Sequence, residues 1–268
     1  MPLARIVLYA ASLGLIVLTA RAALIEPPSV AVAVAVLLAY VATILAGVLR
    51  LRLRMFVDAV VHGPILARGV ALTFDDGPDP TSTPVVLDAL EAAGAKATFF
   101  VIARKAEAHP DLVREMVRRG HEIGLHSYDH DRLFALRSEA RVRADLERGL
   151  RVLEDLTGQR PLFFRPPIGH TNPVIARVVD ALDMVTVGWS VSALDGLSSA
   201  VPRSIVHRVR RGLADGAIVL MHDAPERGSR TPAGVIALPE VLRAAHEKQL
   251  PVVTVGSWME DAADPAAT

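Results

Sequence analysis

The stretch Val30–Leu49 runs for twenty residues without a single charge. About 20 apolar residues are what a helix needs to cross a hydrocarbon core about 30 Å thick, and in lipid one segment can satisfy its own backbone only as a helix. A second stretch, 6–25, is apolar apart from Arg21, and Glu26-Pro27-Pro28-Ser29 between the two reads as a turn. Residues 1–49 hold only Arg5, Arg21 and Glu26, so 55 of the 58 charged side chains lie in 50–268. The chain therefore has two parts suited to different solvents: spans at 1–49, a connector at 50–67, a soluble part at 68–259 and a small acidic tail at 260–268. For the first stretch a cleavable signal peptide is the other reading, with Arg5 as its charged region and Ala20-Arg21-Ala22 as a small-x-small site. A buried core hairpin is a third, but two such stretches outside a large domain are hard to bury in protein.

Arg50, Arg52 and Arg54 follow the second stretch directly, and the positive-inside bias holds such residues in the cytoplasm. The sequence thus predicts an integral membrane protein of bacterial inner-membrane type, with residues 50–268 facing the cytoplasm and the bilayer as a partner. Leu51 to Val61, where apolar and basic residues interleave, is expected to lie along the lipid surface. The absence of cysteine excludes disulfides, thiol catalysis and Cys-ligated metal. With 29 basic and 29 acidic side chains and no aromatic platform, nucleic acid is excluded as a partner. The oligomeric state is left open.

From residue 65 onward short β-type runs alternate with helical ones. Strands are predicted at Val70–Phe74, Ala97–Ile102, Glu122–Leu125, Leu162–Phe164, Val185–Trp189, Ala217–Met221 and Val252–Val255. Helices open at Thr83-Pro84, Pro110, Ser138, Asn172-Pro173 and Pro202, and a sixth covers roughly Val235 to Lys248. Seven strands separated by helices imply an α/β fold with a mainly parallel sheet, either a barrel or an open doubly wound form. In such folds active sites gather at the carboxyl ends of strands.

The residues able to do chemistry fall at those ends. Asp75 and Asp76 follow the first strand in Thr73-Phe-Asp-Asp-Gly, and His126 and His130 follow the third in His126-Ser-Tyr-Asp-His130. Arg165 follows the fourth in Arg165-Pro-Pro, Asp195 lies beyond the fifth, and His222 ends the sixth. Pro167 and Trp189, at the ends of the fourth and fifth, are expected to line the substrate. Two adjacent carboxylates leave a tight turn in different directions, so one can bind a metal while the other serves as a base. Two His four apart can present their rings to one ion. One Asp and two His make three protein ligands and leave a position open for water, as a catalytic site requires. Taken singly, Asp-Asp-Gly-Pro is most often a turn and His-x3-His a coincidence; their joint order along the strands is what points to a site.

Over about residues 68–256 the chain resembles the polysaccharide deacetylase family, also known as carbohydrate esterase family four or the chitooligosaccharide deacetylase homology domain. The resemblance is carried by Thr73-Phe-Asp-Asp-Gly, His126-Ser-x-x-His130, Arg165-Pro-Pro and Leu220-x-His222, in that order. It implies a distorted (β/α) barrel, a divalent metal that is usually zinc, and removal of an N-acetyl group from an amino sugar. It also implies that Asp75 is the catalytic base, that Asp76, His126 and His130 are the metal ligands, and that His222 is the general acid. Arg165 then holds the base, Asp195 orients the acid, and Leu220 receives the acetyl methyl. Two positions depart from the pattern: Ile168 stands where an aromatic is common, and Asp195 is followed by Gly196 rather than Trp. The missing aromatics weaken the case for a long polymer more than the case for the chemistry.

The expected activity is hydrolysis of a non-peptide carbon–nitrogen bond in an amino-sugar glycan or a lipid-linked saccharide. The competing readings are a formamide or ureide hydrolase and a catalytically dead, membrane-anchored binding protein. The second would show a missing ligand or base, and none is missing.

Overall fold

In the computed structural model, which describes residues 1–228 and 230–259, two long helices precede a curled parallel sheet wrapped by helices. The tail expected at 260–268 lies outside the described residues. The strands are β1 (Val70–Asp75), β2 (Thr98–Val101), β3 (Glu122–Leu125), β4 (Phe163–Phe164), β5 (Val185–Thr186), β6 (Val191–Ser192), β7 (Ile218–His222) and β8 (Val252–Val253). Their order is β5-β4-β3-β2-β1-β7-β6, with β8 also paired to β1, and every pairing is parallel. This is the half-barrel form of the expected fold.

One difference concerns the fifth predicted strand. Val185–Trp189 is not continuous: β5 stops at Thr186, and β6 begins at Val191 on the opposite edge of the sheet with no helix between. The chain crosses the gap through Gly188, whose amide bonds Val60 O at 2.8 Å and whose missing Cβ would lie 2.9 Å from Val61. Periodicity could not show this, because closing a curled sheet requires the chain to change edges.

The central strand β1 is buried on all six residues, as a parallel strand covered on both faces must be. Alternation sorts its side chains. Leu72 and Phe74 join the outer core beneath the helices, while Ala71 joins the inner cluster with Phe100, Phe163, Val187, Ile218, Val255 and Trp258. The pleat puts Thr73 and Asp75 on that inner face as well. Each inner aromatic or aliphatic side chain removed from water contributes roughly 1.5–3 kcal/mol.

The helices begin and end where the sequence placed their signals. They are α3 (Thr83–Ala92), α4 (Ala103–Ala108), α5 (Pro110–Arg118), α6 (Glu139–Thr157), α7 (Pro173–Ala181), α8 (Pro202–Gly212) and α9 (Ala233–Glu247). The short α4 had no sequence signal. Val142, Leu146, Gly149, Leu150 and Leu153 form the buried stripe of α6, and Gly158 in the left-handed region ends it. Asn172 caps α7 by accepting from Ile175 N at 2.8 Å.

Ahead of this unit stand α1 (Leu3–Leu24) and α2 (Val30–Leu49), with mean hydropathies of 2.0 and 2.6. Neither is a core hairpin: α1 buries no residue and α2 only Gly47. They touch each other, with Ser12 Oγ and Tyr40 OH hydrogen-bonded at 2.9 Å. Their open ends meet the sheet-and-helix unit. Arg5 pairs with Asp58 at 3.0 Å, and Thr171 N donates to Val48 O at 3.0 Å. The stretch read as a lipid-surface connector is turned inward instead. Leu51, Val57 and Ala59 form a buried cluster, and Val60 and His62 bridge to Val187 and Ala217. Its apolar residues cover the otherwise open gap between β5 and β7.

Candidate active site

The carboxyl ends of β1, β3, β4 and β7 and the loop after β6 surround a cavity of about 510 Å3. Asp75, Asp76, His126, His130, Asp195 and His222 all line it, as do Leu220 and Trp189. The register explains the first contact, since Asp75 lies opposite His222 and Thr73 opposite Leu220 across the β1–β7 pair. Asp76 takes a left-handed backbone with φ of 75°, which turns its carboxylate away from that of Asp75 and towards the histidines. Ser127 and His130 share this conformation, φ 63° and 54°, and the Ser127 hydroxyl holds the tight loop by accepting from His130 N at 3.0 Å.

Arg165 is fully buried inside the barrel, stacked 4.0 Å from the Phe100 ring. All three of its nitrogens donate. Nη1 donates to Asp75 Oδ1 at 2.7 Å and to Thr73 Oγ1 at 2.8 Å, Nη2 to Gly188 O at 2.9 Å and Nε to Val187 O at 3.2 Å. A buried carboxylate is tolerable only when paired in this way. One oxygen of Asp75 is thus fixed and the other, Oδ2, is left facing the cavity 3.8 Å from His126 Nε2.

Asp76, His126 and His130 form a buried group whose potential ligand atoms lie within 4.8 Å of one another. Asp76 Oδ1 is 3.6 Å from His126 Nε2 and 3.4 Å from His130 Nε2. Ligands about 2.1 Å from a tetrahedral ion stand about 3.4 Å apart, so the spacing fits a small divalent cation. Asp76 Oδ1 has no hydrogen-bond partner despite its burial, so it is an oxygen that a cation could satisfy. Burial, with Asp75 adding to it, pushes the Asp76 carboxyl up to about 7 in the absence of a cation. Burial also lowers His126 and His130 to about 3, so both rings are neutral and able to ligate. His126 Nδ1 lies 2.7 Å from Arg165 O; donating there leaves Nε2 free for an ion.

On the opposite wall, His222 Nδ1 lies 2.9 Å from Asp195 Oδ1, and the His222 amide donates to Asp195 Oδ2 at 2.9 Å. Burial works against a charge on this ring. The Asp195 hydrogen bond and the charges of Asp195, Asp76 and Asp75 outweigh it and push His222 up to about 9. It is therefore an imidazolium at neutral pH, with Nε2 4.0 Å from Asp76 Oδ2 and the side chain 22% exposed to the cavity. Pro167, expected on the substrate side, is buried, and Ile168 and Gly169 line the cavity in its place. The left-handed turn at Ile168, φ 51°, swings the loop past the proline.

No motif in the sequence points to Glu226 or Lys105. Glu226 Oε1 lies 3.4 Å from His130 Nδ1, and Arg132 grips both carboxylate oxygens of Glu226, at 2.7 and 2.5 Å. Lys105 donates to Asp76 O at 2.7 Å and Pro225 O at 2.8 Å, tying the β1 and β7 loops together. Lys105 lies on the short α4 and Glu226 in the loop after β7, elements whose approach depends on the fold, and neither belongs to a short motif.

Residues 63–187 match the family model for polysaccharide deacetylase. A peptidoglycan-N-acetylglucosamine deacetylase of Bacillus cereus is 38% identical over 193 residues, covering 71% of this chain and 87% of the relative. This chain belongs to the polysaccharide deacetylase family. A chitooligosaccharide deacetylase of a Bradyrhizobium species is 39% identical over 158 residues, 58% of this chain and 71% of that one. A crystal structure of a peptidoglycan N-acetylglucosamine deacetylase, in complex with 4-naphthalen-1-yl-N-oxidanyl-benzamide, superposes with a TM-score of 0.68 at 33% identity. It covers 74% of this chain and 91% of that one. The family is one of carbohydrate deacetylases, hydrolases of carbon–nitrogen bonds, and the cavity is placed as such an enzyme requires.

Proposed function

We propose that the protein is a metal-dependent hydrolase that removes an N-acetyl group from an amino sugar at a membrane. The observation that carries this reading is the opposed pair across the cavity: a carboxylate clamped by Arg165 on one side and an imidazolium held by Asp195 on the other. Asp76, His126 and His130 would hold the ion, for which a carboxylate and two imidazoles in tetrahedral spacing favour zinc. When bound there, such an ion supplies Lewis acidity to the acyl oxygen and acidifies water.

The remaining work falls to side chains of this chain. Asp75 Oδ2 takes a proton from water as its oxygen bonds to the acyl carbon. His222 gives its proton to the sugar nitrogen as the carbon–nitrogen bond breaks, releasing acetate and a free amine. Asp195 steadies the imidazolium before that transfer, and Leu220, 7% exposed on the cavity wall, offers an apolar contact for the methyl. Base, acid and ligand set are all present, so the reading as a catalytically dead binding protein has no missing residue to rest on.

The named relatives act on peptidoglycan N-acetylglucosamine and on chitooligosaccharide, which supports an N-acetylated amino sugar here. α1 and α2 are long, apolar and outward-facing, which supports a two-span anchor. Arg5, Arg50, Arg52 and Arg54 at its open end favour a cytoplasmic catalytic unit.

The test is acetate release from tetra-N-acetylchitotetraose (hereafter chitotetraose), run with metal content on the same samples. Asp75→Asn is expected to lose turnover about 100-fold or more while still binding one divalent ion. His126→Ala is expected to lose both. Loss of metal from Asp75→Asn would undo the division of roles, and full turnover by it would sink the mechanism.

A further inference from the structure

The cavity and the end of α2 are one side-chain layer apart. Trp189 lines the cavity and packs on the cluster of Leu51, Val57 and Ala59, and Leu51 is two residues past the end of α2. A second path runs through the loops. Val48 in the last turn of α2 accepts from Thr171 N, and the neighbouring Asn172 donates through Nδ2 to Ala135 O at 2.6 Å. Ala135 belongs to the loop after β3, whose Arg132 stands at the cavity edge. The rim of the site is thus fastened to the base of the proposed span on two sides.

That stretch of rim is aliphatic. Leu133 and Leu136, which flank the Ala135–Asn172 contact, are 54% and 77% exposed, and Ile168, Leu194 and Leu197 are further exposed apolar residues that line the cavity. Such a patch next to a membrane helix is covered at least cost by lipid. Behind it, Arg227 and Arg230 also line the cavity, while the adjacent Glu226 is already gripped by Arg132. Arg227 Nε lies 3.7 Å from Glu226 Oε1 and Arg230 Nη1 donates to Ser198 O at 2.6 Å, so the edge offers the remaining N–H groups of two guanidiniums to an anion, next to an apolar shelf.

We propose that the mouth of the cavity lies against the lipid surface and takes an N-acetylated amino sugar carried on a phosphate-bearing lipid. The sugar enters the cavity, the phosphate meets Arg227 and Arg230, and the first apolar segment of the carrier lies along Leu133, Leu136 and Leu197. This deepens the deacetylase reading and rests on it and on the two-span anchor. A soluble or wall-bound polymer would gain nothing from an aliphatic rim joined to a span.

The test uses the full-length, zinc-loaded protein in lipid nanodiscs with four substrates. These are N-acetylglucosaminyl diphosphate on a polyprenol, free N-acetylglucosamine 1-phosphate, octyl N-acetylglucosaminide and chitotetraose. The polyprenol conjugate is expected to show kcat/KM at least about tenfold above the other three, since either half of the recognition alone is worth less. Leu133→Ser with Leu136→Ser is expected to cut the preference for the conjugate over chitotetraose about tenfold. Leu66→Ser, at a still more exposed leucine ahead of β1 and outside the cavity lining, leaves it unchanged. Arg227→Ala with Arg230→Ala is expected to erase the advantage of the conjugate over the octyl glycoside. Free sugar phosphate working as well as the conjugate would mean phosphate recognition without lipid, and chitotetraose working as well or better would mean a glycan-polymer enzyme; either overturns the proposal while the deacetylase reading stands. Failure on all four substrates would sink both.

Discussion

Two buried residues that never reach the substrate decide how the cavity works. Arg165 is a positioning residue: it fills the barrel beneath Asp75 and satisfies two backbone carbonyls and a hydroxyl besides. Replacing it by Met would leave the Asp75 charge buried without a partner, which costs about 3–5 kcal/mol. Arg165→Met is therefore expected to melt well below the parent and to lose turnover. Lys at the same position, which keeps the charge but not the fork, is expected to recover part of the stability and little of the turnover. A normal melting temperature for the Met variant would refute the clamp. Asp195 is the counterpart for His222. The imidazole is held charged up to about 9, above its ordinary 6.5, so its protonated form supports both folding and catalysis. The stability it contributes is complete below 6.5 and is lost as pH rises through about 9. Turnover needs the same proton and falls on the same alkaline side. Asp195→Asn removes the hydrogen-bonded charge, so the alkaline limb of the kcat profile is expected to move to lower pH, with a fall in rate of about 100-fold. An unmoved limb would show that His222 is not the acid.

At the scale of elements, the chain announced most of its own punctuation. Thr83-Pro84, Pro110, Ser138 with Gly158, Asn172-Pro173 and Pro202 mark real helix ends because caps and proline act locally. The seven candidate residues from Asp75 to His222 could be picked out of the sequence for a related reason: each ends or follows a strand, and parallel strands deliver their carboxyl ends to one face. What was hidden depends on closure. The crossing from β5 to β6 at Gly188, the inward turn of residues 51–61 and the approach of Glu226 to His130 are set by distant partners and leave no periodic trace. Gly234 belongs to this hidden class. It sits in the first turn of α9, where an added Cβ would lie 2.0 Å from Asp195 Oδ2. Asp195 is 1% exposed and has nowhere to retreat, so a single methyl on a helix is expected to act on the His222 acid through Asp195. Gly234→Ala should reproduce the alkaline-limb shift of Asp195→Asn in smaller measure. An effect on melting temperature alone, with the pH profile intact, would mean that Asp195 holds its place and the helix moves.

For the whole molecule, the two-span anchor proposed above allows two orientations, and the contacts put both termini on the same side in either. Arg5 at the start of α1 donates to Met55 O at 3.2 Å and pairs with Asp58, so the amino terminus and the catalytic unit lie at the same end of the helical pair. Arg5, Arg50, Arg52 and Arg54 stand at that end, against Arg21 near the turn. The positive-inside bias counts residues close to the span ends and gives little weight to acids, so Asp58 and Glu26 do not offset the difference. Epitope tags at both termini are therefore expected to resist protease in intact spheroplasts and to be cleaved together in inverted vesicles. Cleavage of both in spheroplasts would overturn the arginine argument and place the cavity where the finished cell wall lies. Tags on opposite sides would break the hairpin itself, and with it the Arg5–Asp58 pairing. Loss of the amino-terminal tag from the mature protein would instead mark the first stretch as a cleaved signal. The expected result also limits the substrate, because a cytoplasmic cavity fastened to a span meets amino sugars while they are still bound to their membrane carriers.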